Sequence, residues 1–410
     1  MYPSQPEKQT KILLLENIHP EAEAKLLKAG YLVETLTSSL SEDELKIKLK
    51  SFNVLGIRSA TQISEQVILE NSHLSAIGCF CIGTNQVDTI AAQKCGIPVF
   101  NAPFSNSRSV AELIIAQIIN LARQLGDRNL EMHSGIWKKQ SQDCHEIRGK
   151  VLGIVGYGHI GSQLSVIAES LGMQVIYYDI AKKMPHGNAQ YMPNLEALLM
   201  RADFVSLHVP LSKDTENMIT AKEIYKMKYG SYLLNASRGN VVNIGDVIDY
   251  LKRGHLKGAY FDVYPDEPGS NGSIPANSNI HELRMLPNVI LTPHIGGSTQ
   301  EAQRAIADEV TDRLISYLTE GDTIDAVNFP QVKPPSRHLN THRILNIHMN
   351  VPGVLRDLNT KVSAYNVSHQ YLSTLDSIGY VLIDVESDLR ADVFNSVSNL
   401  QHSIKTYLLY

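Results

Sequence analysis

The sequence predicts an α/β protein with a doubly wound parallel sheet of the Rossmann type, followed by a smaller mixed unit at the C-terminus. Three observations predict it. Strand-like and helix-like segments alternate from residue 11 to about residue 294, the order of a mostly parallel sheet. A Gly-x-Gly-x-x-Gly stretch, Gly156 to Gly161, stands between one such strand and one such helix, where a dinucleotide-binding turn belongs. Residues 339–410 read βαββαβ, a ferredoxin-like order.

Taken in order, KILLLE (11–16) reads as a strand and PEAEAKLLKAG (20–30) as a helix ended by Gly30. YLVETLT and SEDELKIKLK continue the alternation, and VLGIRS, LSAIGCFCIG and IPVFNAP are further buried strands. SVAELIIAQIINLARQL (109–125) is a long apolar-rich helix, with Ser109 and Glu112 spaced as a capping box. A second series runs from Lys150 to about His294, with strands in KVLGIVG, QVIYYD, DFVSLHV, SYLLNAS, GAYFDV and NVILTPH. STQEAQRAIADEVTDRLISYLTEG forms another long helix. Pro330, Pro334 and Pro335 then mark a stiff polar linker at 331–338. The tail follows as RILNIHMN, PGVLRDLNTKVSAYN, VSHQYLSTLD, YVLIDVES, DVFNSVSNLQ and KTYLLY.

At 410 residues the chain exceeds one ordinary core and implies two or three domains. It is 43% hydrophobic and 19% charged with a net charge of -5, and it lacks the basic stripe that nucleic-acid binding requires. No apolar run approaches the roughly 20 residues that span a bilayer, and MYPSQPEKQT has no apolar signal core. The expectation is a cytoplasmic protein with neither membrane nor nucleic acid as partner. Cys79, Cys81, Cys95 and Cys144 form no C-x-x-C pair, so they read as reduced structural thiols rather than metal ligands.

The glycine stretch carries the first chemistry. Gly156 permits a tight turn, Gly158 lets the backbone approach a diphosphate, and Gly161 lets helix and strand pack closely. The anion then rests on a helix N-terminus, where free N–H groups and the helix dipole favour it. Asp179 ends the next strand, 18 residues beyond Gly161. A carboxylate there accepts from ribose hydroxyls and repels a 2′-phosphate, which favours NAD over NADP. Lys182 and Lys183, just beyond, leave some NADP use open.

Three charged side chains follow strands of the same series: Arg238 after SYLLNAS, Glu267 after GAYFDV and His294 after NVILTP. Ligands of an open parallel sheet bind beyond the carboxyl ends of its strands, so all three should face the glycine turn. The trio suits hydride transfer at the alcohol carbon of a small 2-hydroxy acid. The imidazole takes or returns the hydroxyl proton, the carboxylate orients it and favours its charged form, and the guanidinium offers a planar fork to the substrate carboxylate. Each residue alone has a bland reading as a surface or strand-end group; their joint placement argues for function.

The segments GCFCIGTNQVD, NAPFSNSRSVAE, GIVGYGHIG, SLHVPLS, NASRG, DVYPDEP and LTPHIGGSTQEAQ, in that order, resemble the D-isomer-specific 2-hydroxyacid dehydrogenase family. The resemblance covers nearly the whole chain. It implies Arg238 as substrate-orienting, Glu267 as partner of the histidine and His294 as acid and base. It implies NAD contacts at Gly156, Gly158, His159, Ile160, Gly161, Asp179, Ala236, Ser237, Arg238, Asp262, His294, Ile295, Gly296 and Gly297. It also implies a discontinuous flavodoxin-like substrate domain, 1–107 with 297–330, interrupted by the NAD domain at 108–296. Arg58, Ser59 and Asn106 carry over as substrate residues, and Trp137 and Lys139 match a segment that reaches a neighbouring subunit. Ala60 stands where some members have a second basic residue, which leaves Arg58 and Lys139 as candidates to hold a phosphate.

The tail, 339–410, is similar to an ACT regulatory domain, with His348, Asn350 and Asn366 at the positions that bind L-serine in relatives. Together these likenesses imply oxidation of 3-phosphoglycerate at the head of serine synthesis, feedback by L-serine, 2-oxoglutarate reduction as a side activity, and a homotetramer. The alternatives are a dehydrogenase of another D-2-hydroxy acid, and a non-catalytic NAD-binding scaffold, against which the intact trio counts.

Overall fold

The computed structural model describes residues 10–268, 272–274, 276, 278–337, 341–386 and 391–409. The first nine residues of the polar N-terminus, and positions 338–340 where the linker was expected to give way to the tail, lie outside the described residues. The chain folds as two compact units, Met1–Ser105 with Gln303–Tyr410, and Asn106–Ala302.

In the first unit, β1 (Lys11–Leu14), β2 (Leu32–Thr35), β3 (Val54–Ile57), β4 (Ala76–Cys79) and β5 (Val99–Asn101) form a parallel sheet in the order β2-β1-β3-β4-β5. That is the flavodoxin-like doubly wound order. β3, β4 and β5 are buried at every position, as strands covered on both faces must be. Gly30, at φ +92°, takes the chain out of helix Pro20–Lys28, and Ser41 with Glu44 closes a capping box on helix Glu42–Lys48.

The second unit holds β6 (Val151–Val155), β7 (Gln174–Tyr178), β8 (Gln190–Tyr191), β9 (Phe204–Leu207), β10 (Ser231–Asn235), β11 (Leu256–Phe261) and β12 (Val289–Leu291). All pair in parallel, in the order β8-β7-β6-β9-β10-β11-β12. This is the dinucleotide-binding order with a seventh strand added, and it reverses direction between β6 and β9. The two-residue β8 is too short to show an alternation and was not anticipated.

Helix Ser107–Arg123 begins two residues before the expected Ser109. Ser109 therefore lies inside the helix, its hydroxyl 2.7 Å from that of Thr299. Glu112 instead pairs with Arg108 one turn back, so the expected capping box does not form. The helix stops at Gln124, in the left-handed conformation at φ +54°, and a separate helix, Leu125–His133, follows.

The tail belongs to the first unit. β13 (Thr341–Met349), β14 (Val367–Leu375), β15 (Ile378–Glu386) and β16 (Ser403–Leu409) form an antiparallel sheet in the order β14-β15-β13-β16. With helices Val354–Val362 and Ala391–Ser398 it has the βαββαβ connectivity read from the sequence. Ile344, Val381, Ile383 and Val385 pack on those helices. Leu345, Ile347, Tyr380 and Leu382 instead share a core with Val310, Leu314 and Tyr317 of helix Gln300–Glu320, and with Ile12 and Phe100 of the N-terminal sheet.

Polar contacts fix this arrangement. Arg343, fully buried on β13, donates from Nε and Nη2 to Asp384 at 2.6 and 2.8 Å, from Nη1 to the Glu320 carbonyl at 2.9 Å, and from Nη2 to the Pro335 carbonyl at 3.0 Å. The Lys405 ammonium group donates to the Leu74 carbonyl at 2.6 Å. The stretch around the expected linker is also packed: Asn328, Phe329 and Val332 are buried, and the Asn328 amide oxygen accepts from the Val99 N–H at 2.9 Å. Among the described residues no helix is long and apolar enough to cross a membrane.

Candidate active site

β6 runs directly into Gly156, whose φ of +93° favours glycine. A Cβ at Gly156 would lie 2.4 Å from the His208 carbonyl oxygen, and one at Gly161 would lie 2.3 Å from the Gly156 carbonyl oxygen. Both glycines are thus demanded by the protein itself. Gly158 differs, because a Cβ there would meet nothing within 4 Å. That open space sits at the N-terminus of helix His159–Ser170, of which Gly158 is the cap and His159 and Ile160 the first turn. It is a cradle that a side chain would fill, and a dinucleotide diphosphate fits it. Asp179, just after β7, is fixed at the mouth of the turn, its two carboxylate oxygens accepting from the N–H groups of Tyr157 at 2.8 Å and Ala181 at 2.9 Å. Lys182 and Lys183 are exposed beyond it.

The ends of β10, β11 and β12 bring the charged trio together. Asn235, the last residue of β10, folds the turn: its amide oxygen accepts from the Ser237 N–H and hydroxyl at 3.0 and 2.8 Å, and its amide nitrogen donates to the Arg238 carbonyl at 3.0 Å. Ala236 and Ser237 thereby lie within this turn. Gly239 allows the next contact, since a Cβ there would come within 2.0 Å of the Tyr264 carbonyl carbon. The turn bearing Arg238 thus presses directly on the loop that leads to Glu267. One Glu267 oxygen accepts from the Tyr264 N–H at 2.9 Å, and the other lies 2.6 Å from His294 Nδ1. A carboxylate can only accept here, so Nδ1 carries the proton and Nε2 is left for the reacting centre.

The electrostatics agree with an acid–base pair. The hydrogen bond to Glu267 raises the His294 pKa above its ordinary value, against partial burial and the nearby positive charge of Arg238. Burial opposes the charge on Glu267, but the bonds from His294 and the Tyr264 N–H, with the charges of His294 and Arg238, outweigh it and hold the carboxyl below its usual range.

His294 itself adopts a left-handed conformation at φ +51°, unusual for a residue with a side chain. Its turn closes on Asp262, which is almost fully buried at the end of β11. The Asp262 carbonyl accepts from the His294 N–H at 2.8 Å. Its carboxylate accepts from the N–H groups of Ile295 at 2.9 Å and Gly296 at 2.8 Å, and from the Thr292 hydroxyl at 2.5 Å. Gly297 lies against Asn106, the first residue of the second unit, since a Cβ at Gly297 would come 2.7 Å from the Asn106 amide nitrogen.

The remaining predicted residues lie on other elements. Arg58 and Ser59 follow β3 in the first unit, in a loop held by Glu16, whose carboxylate accepts from the N–H groups of Ala60 and Thr61 at 2.9 Å each. Gln86 also donates to the Arg58 carbonyl at 2.6 Å. Lys139 and Trp137 lie in an exposed segment after helix Leu125–His133, lining a cleft of about 130 Å³ with Arg128, Glu131 and Met132. In the tail, His348 is buried, with Nδ1 3.1 Å from the Asn346 amide oxygen and its ring directly under Gly379. Asn350 leaves β13 at the Met349–Ile378 end of the sheet, and Asn366 enters β14 at the other end, its carbonyl accepting from the Glu386 N–H at 3.0 Å. One copy of the chain does not join these two asparagines.

Sequence reasoning missed Asn235, Gly239, Thr292, Tyr260 and Glu16. Asn235 and Gly239 flank Arg238 within NASRG, and asking how that turn closes would have found them. The hydroxyls of Thr292 and Tyr260 lie in or beside apolar runs and give no such signal.

This fold and this pair, an imidazole backed by a carboxylate beside a nucleotide-binding turn, define a class of hydride-transferring enzyme, and comparison with known proteins agrees. Residues 115–296 match the model of the D-isomer specific 2-hydroxyacid dehydrogenase NAD binding domain. The chain is 54% identical over 405 residues to D-3-phosphoglycerate dehydrogenase of Dictyostelium discoideum, covering 99% of this chain and 98% of that one. It is 48% identical over 406 residues to D-3-phosphoglycerate dehydrogenase of Escherichia coli strain K12, covering 98% and 97%. Among solved structures, D-lactate dehydrogenase from Aquifex aeolicus, complexed with NAD and lactic acid, superposes with a TM-score of 0.66 at 26% identity, covering 79% of this chain and all of that one. The chain belongs to the D-isomer specific 2-hydroxyacid dehydrogenase family. It is an NAD-dependent oxidoreductase acting on a small molecule.

Proposed function

We propose that this enzyme oxidises 3-phospho-D-glycerate to 3-phosphohydroxypyruvate and so opens L-serine synthesis. The observation that carries the chemistry is the 2.6 Å contact between Glu267 and His294 Nδ1 beside Arg238; the near-full-length likeness to D-3-phosphoglycerate dehydrogenases carries the choice of acid. His294 Nε2 takes the proton of the substrate hydroxyl. Glu267 keeps the ring oriented and offsets the charge it gains. Arg238 grips the substrate carboxylate and polarises the bond to the reacting oxygen. Bound NAD would accept the hydride. Gly156 to Gly161, Asp179, Ala236, Ser237, Arg238, Asp262 and the turn from His294 to Gly297 hold the dinucleotide, and Asp262 also keeps that last turn in place. Arg58, Ser59 and Asn106 receive the substrate, with Arg58 and Lys139 meeting its phosphate.

The domain roles follow: 1–107 with 297–330 bind substrate, 108–296 bind NAD, 331–338 connect, and 339–410 form an ACT regulatory domain that takes L-serine. Asn350 and Asn366 lie at opposite ends of the tail sheet, so a ligand bound by both needs two copies, which supports the pairing of two tails; that pairing is one interface of a homotetramer that works in the cytoplasm. His348, from beneath, shapes the floor of that site. The same active site reduces 2-oxoglutarate as a side activity.

Initial rates with NADH and 3-phosphohydroxypyruvate, compared with 2-oxoglutarate, pyruvate and hydroxypyruvate, with and without L-serine, test these readings. The expected order places the phosphorylated keto acid first in kcat/KM, with rates reduced by L-serine. A higher kcat/KM for an unphosphorylated acid would overturn the choice of substrate. Replacing His294 with Ala should lower kcat by roughly 100- to 10,000-fold while NADH still binds, as read by its fluorescence. Full turnover in that variant would overturn the mechanism.

A further inference from the structure

A hydrogen-bond chain lies behind the catalytic turn. Tyr260, fully buried on β11, has its hydroxyl 2.8 Å from the Thr292 hydroxyl. Thr292 spends its single proton on the Asp262 carboxylate at 2.5 Å, so the bond to Tyr260 must be donated by the phenol. The order is therefore Tyr260 to Thr292 to Asp262. The Asp262 carboxylate in turn receives the N–H groups of Ile295 and Gly296. Those are the two residues after His294, whose left-handed backbone places its ring against Glu267.

Neighbouring contacts hold the chain in register. The Tyr264 hydroxyl lies 3.0 Å from the carbonyls of both Phe261 and Thr292, which share its single proton, tying the strand end of β11 to the segment that carries Thr292. The Tyr264 N–H also holds Glu267. Histidine and its carboxylate partner are thus both anchored to the residues that flank the chain. A left-handed non-glycine residue persists only where its surroundings over-determine it, and here the surroundings are Asp262 and its donors.

We propose that Tyr260 and Thr292 are positioning residues for the acid–base histidine, acting through Asp262 to hold His294 in its left-handed turn opposite Glu267. The proposal rests on the reading of His294 as acid and base. Both hydroxyls spend their protons within the protein, behind the turn that carries His294. The Thr292 hydroxyl orients the Asp262 carboxylate so that its other lone pairs meet the turn amides, and the Tyr260 hydroxyl orients Thr292. Loss of either lets the turn relax toward ordinary backbone angles and draws the imidazole away from Glu267.

The test uses Thr292→Val, which keeps shape and removes the hydroxyl, Thr292→Ser, which restores it, and Tyr260→Phe, which keeps the ring. Thr292→Val should lower kcat by about 10- to 100-fold, the scale of a small misplacement of a catalytic group, with a much smaller change in KM. Tyr260→Phe should act in the same direction and less strongly, and Thr292→Ser should recover most of the loss. A second readout needs no turnover. The pH dependence of ethoxyformylation at His294 by diethyl pyrocarbonate, followed by peptide mass spectrometry, reports the imidazole directly. In Thr292→Val its midpoint should fall below that of the unsubstituted enzyme, as the Glu267 contact loosens, and return in Thr292→Ser. An unchanged midpoint and unchanged kcat in both Thr292→Val and Tyr260→Phe would overturn the proposal. If His294→Ala keeps full turnover, the acid–base reading fails instead, whatever the reactivity midpoints show.

Discussion

At the scale of single residues, the chemistry turns on how one carboxylate shifts one imidazole. Glu267 stabilises the charged form of His294 and raises its pKa above the ordinary value. Oxidation needs the neutral ring to take a proton, so its acid limb should lie above pH 6.5, the reference value for a histidine. Reduction needs the protonated ring, which the same shift preserves to higher pH. Glu267→Gln removes the negative charge, so the His294 pKa should fall and both limbs should move to lower pH. Profiles of kcat/KM in the two directions will show it; a limb that stays in place would mean that Glu267 does not set the titration. Arg238→Lys keeps the charge but loses the planar fork, and the loss of one preorganised donor predicts a fall in kcat/KM of roughly 100- to 1,000-fold. The trio was legible because each member follows an apolar run at a strand end. Thr292 and Tyr260 were not, because a hydroxyl beside an apolar strand carries no sign of which neighbour it will meet.

At the scale of elements, the glycine turn separates residues that the protein needs from one that its ligand needs. Gly161 packs against backbone, so Gly161→Ala must push β6 and its helix apart and should lower the melting temperature. Gly158 faces open space at a negative φ, so Gly158→Ala should leave the melting temperature unchanged and weaken NADH binding. Equal effects of the two substitutions on stability would refute the distinction. The turn itself was legible from its spacing and from the strand and helix on either side. Element ends were less so. The expected strands in NVILTPH and SYLLNAS stop at Leu291 and Asn235, because the residues beyond them turn away to build the site. Ser109 and Glu112 had the spacing of a cap, but Arg108 competes for the same carboxylate one turn back, and the helix begins earlier.

At the scale of the whole molecule, the contact between the tail sheet and the N-terminal sheet contains a half-buried lysine, Lys405. Desolvation pushes the Lys405 pKa down from 10.5 to about 7, with the Cys95 sulfur working against it. The unfolded chain binds this proton up to its ordinary pKa, whereas the folded chain releases it near pH 7. Stability therefore rises with pH between about 7 and 10.5 from this group, and below that window the full cost of charging a half-buried amine remains. Tyr317 and Tyr380, buried in the same region, and the half-buried Tyr407 are all pushed up by desolvation and act in the opposite sense near pH 10, which restricts a clean reading to pH 7–9. Over that range, thermal unfolding should show a rising midpoint that flattens in Lys405→Met; a slope that persists would assign the effect elsewhere. The parallel character of the two sheets and the succession of elements in the tail followed from the alternation of apolar runs, and the flavodoxin-like arrangement from the family resemblance. The seating of the tail did not, because an apolar sheet face announces that it will be covered and not by what.

That seating constrains how the gene can change. Leu345, Ile347 and Tyr380 complete the same core as Val310, Leu314 and Tyr317, so the tail is not a detachable module. A stop codon before residue 341 would leave that helix face bare and sticky, and a foreign sensor grafted in its place would have to reproduce both the apolar contour and a buried arginine in the place of Arg343. Inheritance of the tail and of the helix beneath it is therefore coupled: substitutions on one side of the seam are tolerated only as the other side accommodates them.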